Sequence, residues 1–379
     1  MKFLSLLIIF CCIVSCQEQK TKVENYNSAP SEAVKLKYAK GFSITNYENF
    51  TVLEIKSPWP KSESQFRYAL QNPNSNINFN LDSINSVIEI PVKEIVVTST
   101  THIPSLDLLN ETESLVGFPG MDYISSPTVR SLIKEGKVRE LGKNEGLNTE
   151  VLLELQPDLV VGFGVDGSSK SLENIRQANI PVIYNGDWVE KSPLAKAEWI
   201  KFFGVLFNKQ KQADSIFDAI ESNYLKAQKI ASSASNRPTV ISGAMHKDIW
   251  YLPSGTSSEG QFLKDANTNY YWQNTIDQGS LALNFETVFA TAKDADIWFS
   301  PSYYRTLEDL KIANEHYIKF KALRTNKVYS FTNTTGETGG VLYYELGLTR
   351  PDLILKDIVK ISHPELLEDY QTVFFKLLE

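Results

Sequence analysis

Short apolar segments that alternate with helical segments constrain the fold of this chain more than any other feature. After Pro91, four runs rich in Val, Ile and Leu have the character of buried strands, and each later run follows a helical stretch. The runs cover residues 94–98, 114–118, 159–163 and 180–184. Continuously apolar strands with helices between them are typical of parallel sheets that are covered on both faces. The sequence therefore predicts an α/β lobe over residues 91–190.

A long helical segment follows this lobe. Within it, apolar side chains recur every three or four positions, as they do on one face of a helix. An unbroken helix of this length would span roughly 50 Å or more, which is longer than one small lobe. Gly204 and Asn208 are candidate breaks. We predict one interlobe helix over residues 191–232 and a second α/β lobe, whose strands begin after Pro238, over residues 233–379.

The two lobes share a short repeated pattern. Residues 147–150, Leu-Asn-Thr-Glu, open a helix that leads through Asp158 into a strand, and residues 283–286, Leu-Asn-Phe-Glu, open a helix that leads through Asp296 into a strand. Asn is favourable at a helix N-cap, and Glu is favourable in the first turn. Each copy alone is equally well explained as an ordinary helix start. Its recurrence once in each lobe, before a strand, favours two lobes of similar construction.

The N-terminus predicts export and a lipid anchor. Residues 1–16 hold one lysine and an apolar run shorter than the roughly 20 residues of a membrane-spanning helix, and they end in Ile-Val-Ser-Cys. That ending resembles a bacterial lipobox, in which the cysteine, here Cys16, is acylated; an ordinary signal peptide is the alternative. Residues 17–36 are polar and aperiodic, which predicts a flexible tether. Residues 37–90 contain short alternating runs between turn clusters, which predict a small antiparallel extension packed on the first lobe.

Composition excludes several classes of function. The chain of 379 residues has a formal net charge of −7, whereas a dedicated nucleic-acid binder is basic. Three cysteines and four histidines are too few for a disulfide scaffold, and they argue against a multi-ligand zinc site. The motifs G-x-S-x-G, H-E-x-x-H and G-x-x-x-x-G-K-[ST] are absent. We therefore expect no nucleic-acid partner, no catalytic residues and no enzyme activity.

With these features the chain resembles the substrate-binding proteins of ABC importers that carry cobalamin and ferric siderophores, the class III or helical-backbone family. The resemblance covers roughly residues 94–378 and rests on the opening at 96–102, the two repeated segments, the interlobe helix and residues 347–365. It implies a monomer, lipid-anchored in the periplasm at a bacterial membrane, that captures a small metal chelate between its lobes. No cofactor of its own is implied. Its partners would be a permease and the ATPase of that permease, and Glu150 and Glu286 match the positions that pair with arginines of the permease.

The resemblance also indicates which residues face the ligand, in the cleft at the carboxyl ends of the strands. Loops of the first lobe would supply Thr100, Thr101, His102, Phe118, Met121, Asp122, Tyr123, Gly164 and Asp166. Loops of the second lobe would supply Met245, His246, Trp250, Tyr251, Tyr303, Tyr304, Arg305 and Thr335. Aromatic faces with a few polar groups suit a large amphipathic ligand. Relatives for anionic ferric siderophores often carry several cleft arginines, and here Arg305 is the obvious one. Cobalamin, haem and a neutral siderophore therefore stay open as candidate ligands.

Three other functions stay open on the sequence alone. Residues 162–167 fit G-x-G-x-x-G after a strand, and Asp187 follows about twenty residues on, the pattern of a dinucleotide-binding oxidoreductase. A binding protein for a bare metal ion needs several converging ligands, and only His102 and His246 could meet across the cleft. A purely structural lipoprotein is the third. The late position of the glycine motif and the predicted export favour the binding protein.

Overall fold

The computed structural model describes residues 31–73, 75, 83–165, 167, 169–277 and 279–379. The predicted signal peptide with Cys16, residues 17–30 of the predicted tether, and Asp166 lie outside the described residues. The strands are β1 (Glu32–Ala33), β2 (Phe42–Asn46), β3 (Phe50–Lys56), β4 (Gln65–Gln71), β5 (Ser86–Glu89), β6 (Ile95–Val97), β7 (Leu115–Phe118), β8 (Arg139–Glu140), β9 (Gly142–Lys143), β10 (Gly146–Leu147), β11 (Leu159–Gly162), β12 (Val182–Tyr184), β13 (Thr239–Ser242), β14 (Ala244–His246), β15 (Ile249–Pro253), β16 (Asn269–Tyr270), β17 (Ser280–Leu283), β18 (Ile297–Phe299), β19 (Val328–Ser330) and β20 (Lys376–Leu377). The helices are α1 (Ile103–Leu109), α2 (Pro127–Lys134), α3 (Thr149–Leu155), α4 (Lys170–Gln177), α5 (Pro193–Ala197), α6 (Ile200–Leu206), α7 (Gln210–Ser232), α8 (Ser258–Asp265), α9 (Phe285–Ala292), α10 (Leu307–Ala313), α11 (Lys321–Arg324), α12 (Leu342–Leu346) and α13 (Pro351–Ser362).

Strands β1 to β5 form one five-stranded sheet ahead of the first lobe. The pairings from β1 to β4 are antiparallel, whereas β5 lies parallel to β4, so the prediction of a purely antiparallel extension is wrong for β5. The tether also ends before residue 36, because Glu32 and Ala33 pair with β2. The extension shares one hydrophobic core with the first lobe.

Two buried or half-buried carboxylates hold the extension against the interlobe helices. Glu198 accepts the backbone N–H groups of residues 37–39, and Glu190 accepts those of residues 40–41. Phe42 packs against Trp199 with ring centroids 4.6 Å apart. Hydrogen bonds to an ionised acceptor are roughly twice as strong as neutral ones. The extension is therefore a fixed part of the folded body.

Each lobe is built on a five-stranded sheet. In the first lobe the order is β12–β11–β6–β7–β8, and these pairings are parallel. In the second lobe the order is β16–β13–β18–β19–β20, and β19–β20 is its antiparallel pairing. The predicted α/β class with two mostly parallel sheets is confirmed. The second lobe also contains a three-stranded antiparallel sheet, β14–β15–β17, that the sequence did not predict.

The repeated sequence pattern corresponds to a repeated structural unit. Asn148 caps α3 and Asn284 caps α9, each by accepting a backbone N–H from the first turn of its helix. The aspartate that follows each helix then accepts N–H groups at the start of a neighbouring strand: Asp158 at β6 and Asp296 at β13. In both lobes the strand after the aspartate pairs in parallel with the strand that the aspartate anchors. The prediction of two similar lobes is confirmed in this detail.

The predicted single interlobe helix is wrong, because the segment forms three helices, α5, α6 and α7. The chain breaks between α6 and α7, where Asn208 has a positive φ of 54°. Gly204 allows the two helices to touch, since a Cβ there would lie 2.5 Å from the Ala213 Cβ. The 23 residues of α7 span about 35 Å. Phe217 packs into the core of the first lobe and Tyr224 into that of the second, so α7 joins the lobes.

Candidate functional site

A cleft of about 490 Å³ lies between the two lobes. It sits where the first-lobe strands β6, β7 and β11 and the second-lobe strands β18 and β19 end, which is where open α/β sheets bind ligands. Its volume is within the range of small-molecule sites, about 300–1,000 Å³. The lining residues are Thr98, Ser99, Thr100, Phe118, Pro119, Tyr123, Asn144 and Phe163 from the first lobe, and Tyr303, Arg305, Thr332, Thr335, Gly339, Val341 and Tyr344 from the second.

Hydroxyl groups at the end of β6 form the polar wall of the first lobe. The Ser99 Oγ caps the turn Thr100–His102 by accepting the N–H of Thr101. Behind that turn, the Thr101 hydroxyl donates to Asp187 at 3.2 Å. Burial raises the pKa of Asp187 to about 6, and the bond from Thr101 acts in the opposite direction. Asp187 does not line the cleft, so its contribution is to hold the hydroxyl wall from behind.

Two tyrosines form the aromatic wall of the second lobe. The Tyr303 hydroxyl donates to that of Tyr344 at 3.0 Å, and their side chains are 65% and 42% exposed. Burial and the bond from Tyr303 raise the pKa of Tyr344, so the Tyr344 phenol stays a neutral donor and acceptor. The Asn333 side-chain amide donates to the Arg305 carbonyl at 2.7 Å, which holds the loop after β18 beside the loop after β19.

The cleft combines aromatic faces, hydroxyl groups and a single charge. Among the described residues that line it, Arg305 is the only charged one. Aromatic rings come from both lobes, with Phe118, Tyr123 and Phe163 opposite the tyrosines of the second lobe. Such a surface can stack on a flat or apolar ligand and hydrogen-bond to its polar groups.

The structure brings six of the predicted ligand-facing residues together in the cleft. They are Thr100, Phe118, Tyr123, Tyr303, Arg305 and Thr335. The other predicted members of the same loops lie beside the cleft without lining it: Thr101, Met121, Asp122, Gly164 and Tyr304. Gly164, for example, packs against Trp59, because a Cβ there would lie 2.7 Å from that ring. Whether these side chains touch a ligand stays a prediction.

The remaining predicted second-lobe residues do not line the cleft: Met245, His246 and Tyr251 lie on a separate sheet, and Trp250 is wrongly assigned because it is buried in the core. Gly243, with a φ of +75°, turns the chain after β13 so closely that a Cβ would lie 1.9 Å from the Tyr251 carbonyl oxygen. The chain then enters the hairpin β14–β15, which carries Met245, His246 and Tyr251 into the three-stranded sheet. Trp250 is fully buried and stacks on Trp298 at 5.4 Å.

His102 is also wrongly assigned, because it is a core residue. Its side chain is fully buried, with the Phe203 ring 5.7 Å away, and helix α12 of the second lobe packs against its turn. Neither ring nitrogen has a hydrogen-bond partner within the part of the chain that the structure describes. Burial lowers the pKa of His102 to about 3, so the ring is neutral in the folded protein. It cannot reach a ligand in the cleft.

Nine lining residues were not among the predicted ones. Six of them lie within four positions of a predicted residue: Thr98, Ser99, Pro119, Phe163, Thr332 and Gly339. The other three are Asn144, Val341 and Tyr344. Asn144 lies in the turn between β9 and β10, which carries no strand-end signal. Val341 and Tyr344 follow the loop that begins at the predicted residue Thr335, and an antiparallel bridge between Thr335 and Val341 folds the chain back beside it. Asn144 had no usable signal, whereas the tyrosine pair 343–344 could have drawn attention as aromatic residues just past a glycine-rich loop.

The two predicted docking residues are equivalent in position. Glu150 and Glu286 are exposed and lie in the first turns of α3 and α9, each behind its asparagine cap. A carboxylate at a helix N-terminus is stabilised by the helix dipole. The structure thus presents one acidic side chain at the same place in each lobe.

The metal-ion and dinucleotide-binding functions that the sequence left open find no support among the described residues. Within that part of the chain, no group of three or more His, Cys, Asp or Glu side chains is arranged to hold a metal ion. The helix after the glycine motif at 162–167, α4, begins only at Lys170, which is too late for the glycines to open the helix as a dinucleotide site requires. No helix of the described ranges is long and apolar enough to span a membrane.

Comparison with known proteins gives consistent matches. A sequence model for a family described as periplasmic binding protein matches residues 95–335. One uncharacterized lipoprotein of Methanocaldococcus jannaschii is 25% identical over 381 aligned positions, covering 95% of this chain and 94% of the relative. Another from that organism is 27% identical over 299 positions, covering 76% and 69%.

Solved structures with the same fold include binding proteins from two bacteria. A possible iron-binding (periplasmic solute-binding) protein of Staphylococcus epidermidis matches with a TM-score of 0.58 and 18% identity, over 72% of this chain and 99% of that chain. A periplasmic heme-binding protein of Vibrio cholerae matches with a TM-score of 0.53 and 14% identity, over 69% and 99%. At these identities the likeness establishes the fold.

Proposed function

This chain belongs to the periplasmic binding protein family, and on that premise we propose that it is the substrate-binding lipoprotein of an ABC importer. It captures an iron complex (a ferric siderophore or haem) or cobalamin in the cleft between its lobes and delivers it to the permease. The observation that carries this proposal is the cleft itself, which is lined from both lobes by aromatic rings and hydroxyl groups.

The charge of the cleft limits which class of ligand can bind there. One guanidinium, from Arg305, faces the cleft, and no carboxylate lines it among the described residues. A ligand with several ionised carboxylates would lose more hydration than one guanidinium can replace. We infer a chelate that is neutral or carries about one negative charge, with aromatic or apolar surface for the tyrosines. Two solved structures of this fold, a possible iron-binding protein and a heme-binding protein, support that class.

Calorimetric titration of the protein tests this proposal directly. The panel is a ferric trihydroxamate, a ferric tris-catecholate, hemin and cyanocobalamin, and we expect the low-charge members to bind more tightly than the tris-catecholate. The variant Tyr303→Ala/Tyr344→Ala should weaken binding by about tenfold or more, because buried aromatic contacts carry much of the affinity at such sites. Binding of no member of the panel would contradict the proposal.

Tyr251→Ala is the matched control. Tyr251 is 43% exposed, almost the same as Tyr344, but it lies on the three-stranded sheet outside the cleft. The control should bind the ligand as the wild type does. An equal loss of affinity in both variants would place the ligand elsewhere.

The proposal extends to the partners of the protein. Glu150 and Glu286, exposed at equivalent positions of the two lobes, would pair with basic residues of the permease. Exposed pairs contribute about 0.2–1 kcal/mol each, so their contribution is to orientation more than to affinity. An acylated Cys16 would keep the protein at the membrane, and the two relatives named lipoproteins support that anchor.

A further inference from the structure

A set of contacts joins the two lobes along one rim of the cleft. Residues 335–345 of the second lobe lie against residues 121–134 of the first, and we call these two segments the interlobe clasp. The second-lobe segment is a tight hairpin, closed by the bridge between Thr335 and Val341 and by a bond from the Gly336 N–H to the Gly340 carbonyl. It continues into α12, which packs on α1 of the first lobe.

The central contact of the clasp is a buried carboxylate. Glu345 is 3% exposed, and its Oε1 accepts the N–H of Ser126 at 2.8 Å while its Oε2 accepts the N–H of Ser125. Ser126 is the N-cap of α2, so these donors stand at the start of a helix, where backbone N–H groups lack partners within the helix. A side chain of the second lobe thus accepts hydrogen bonds from backbone N–H groups of the first lobe.

A second carboxylate and a set of backbone contacts extend the clasp. Glu337 accepts from Arg130 Nε at 3.0 Å and from Lys134 Nζ at 2.9 Å. The Thr338 hydroxyl donates to the Asp122 carbonyl at 2.8 Å. The backbones approach so closely at Gly340 that a Cβ there would lie 2.2 Å from the Tyr123 carbonyl oxygen. The two lobes are in direct contact at this rim.

The same segments form part of the cleft wall. Thr335, Gly339, Val341 and Tyr344 line the cleft from the second lobe, and Tyr123, inside the first-lobe segment, lines it from the other side. Tyr344 is the immediate neighbour of Glu345. A separation of the clasp therefore moves Val341 and Tyr344 away from Tyr123, because these lining residues belong to the two segments that form the clasp.

We propose that Glu345 and Glu337 are positioning residues of the ligand site, which set the width of the cleft by holding residues 335–345 against the start of α2. The part of this inference that concerns ligand release rests on the proposed function, the capture of a chelate. The part that concerns the clasp does not. With the clasp closed, Tyr344 and Val341 stay opposite Tyr123, and a bound chelate dissociates slowly. With the clasp open, the walls separate and the chelate is released.

Hydrogen exchange of the full chain, followed by mass spectrometry, tests the clasp without any ligand. The variant Glu345→Gln keeps the size of the side chain, but its amide NH2 faces one of the two N–H donors. Burial raises the pKa of Glu345 to about 7, so exchange is measured at pH 8, where the side chain is ionised. We expect exchange at Ser125 and Ser126 to rise by about tenfold or more, since a charge-assisted bond is lost from each donor or weakened. The exposed Glu337→Gln, which carries less risk to folding, should raise the same exchange severalfold.

Asp357→Asn is the matched control for general destabilisation. Asp357 is a fully buried carboxylate that accepts the backbone N–H groups of residues 373–375, all within the second lobe. It should leave exchange at Ser125 and Ser126 unchanged. Unchanged exchange in Glu345→Gln, or an equal rise in Asp357→Asn, would overturn the assignment of the clasp.

The effect on ligand release is measured separately. With hemin or ferrioxamine B as the probe, whichever binds, Glu345→Gln should raise the dissociation rate by about tenfold and change the association rate by less than about twofold. A rise in exchange without a faster dissociation would overturn the link to release. If neither probe binds, the proposed ligand class fails, while the exchange result still decides whether the clasp exists.

Discussion

Replacement of His102 by phenylalanine should stabilise the protein more at pH 5 than at pH 8. His102 is fully buried, its ring nitrogens lack partners among the described residues, and burial lowers its pKa to about 3. In the unfolded chain the same imidazole titrates at about 6.5. As the pH falls below 6.5 the unfolded state therefore gains a proton that the folded state does not take up, and stability is lost between pH 6.5 and 3.

The magnitude follows from these two pKa values. At pH 5 the protonation of His102 favours the unfolded state by about 2 kcal/mol, and at pH 8 by almost nothing, because a shift of one pKa unit corresponds to about 1.4 kcal/mol. Phenylalanine does not titrate, so this pH-dependent loss of stability is absent from the variant. The free energy of unfolding of His102→Phe, relative to wild type, should thus be about 2 kcal/mol higher at pH 5 than at pH 8.

Urea unfolding at the two pH values, followed by tryptophan fluorescence and circular dichroism, measures this difference. Any change in packing caused by phenylalanine is the same at both pH values and cancels in the comparison. A difference below about 0.5 kcal/mol for His102→Phe would refute the reasoning, because the folded protein would then take up the proton as readily as the unfolded chain.

Two predictions concern the surroundings of the protein in the cell. Glu150→Lys/Glu286→Lys should abolish uptake of the chelate while its affinity for the purified protein stays unchanged, and Glu154→Lys, another exposed residue of α3, should leave uptake intact. A loss of affinity equal to the loss of uptake would place the two glutamates at the ligand site. Cys16→Ser should move the protein from the membrane fraction to the soluble fraction, and an unchanged distribution would contradict the proposed acylation of Cys16.

The strands of the two main sheets could be predicted because their sequence signal is local. β11 and β18 are buried on both faces, so every position must be apolar, whatever the neighbouring strand is. The helix starts at Asn148 and Asn284 are equally local, since the cap and the first turn lie within three residues. These features fix the class of fold and the place of the cleft.

The composition of the cleft wall could not be predicted to the same degree, because it depends on contacts far apart in the sequence. Trp250 is an aromatic residue near a strand end in the sequence, and only its stacking on Trp298 shows that it belongs to the core. His102 is buried by α12, which comes more than 200 residues later in the chain. The role of Glu345 depends on Ser125, 220 residues away. No local pattern encodes these pairs.

The two connections between the lobes differ in what it costs to break them. A bend within α7 would expose Phe217, Ile220 or Tyr224, and full burial of such a side chain stabilises by about 1.5–3 kcal/mol. Opening the clasp exchanges hydrogen bonds between the lobes for hydrogen bonds to water, at a net cost of about 1 kcal/mol for a typical bond, and it loosens the packing of the short helix α12 on α1 and on the turn that holds His102. Glu337 is 45% exposed, so its two ion pairs make a smaller contribution to the clasp than the buried bonds of Glu345. The lobes should therefore separate at the rim held by Glu345 while α7 stays intact, and substitutions in residues 335–345 should change ligand release without changing the fold.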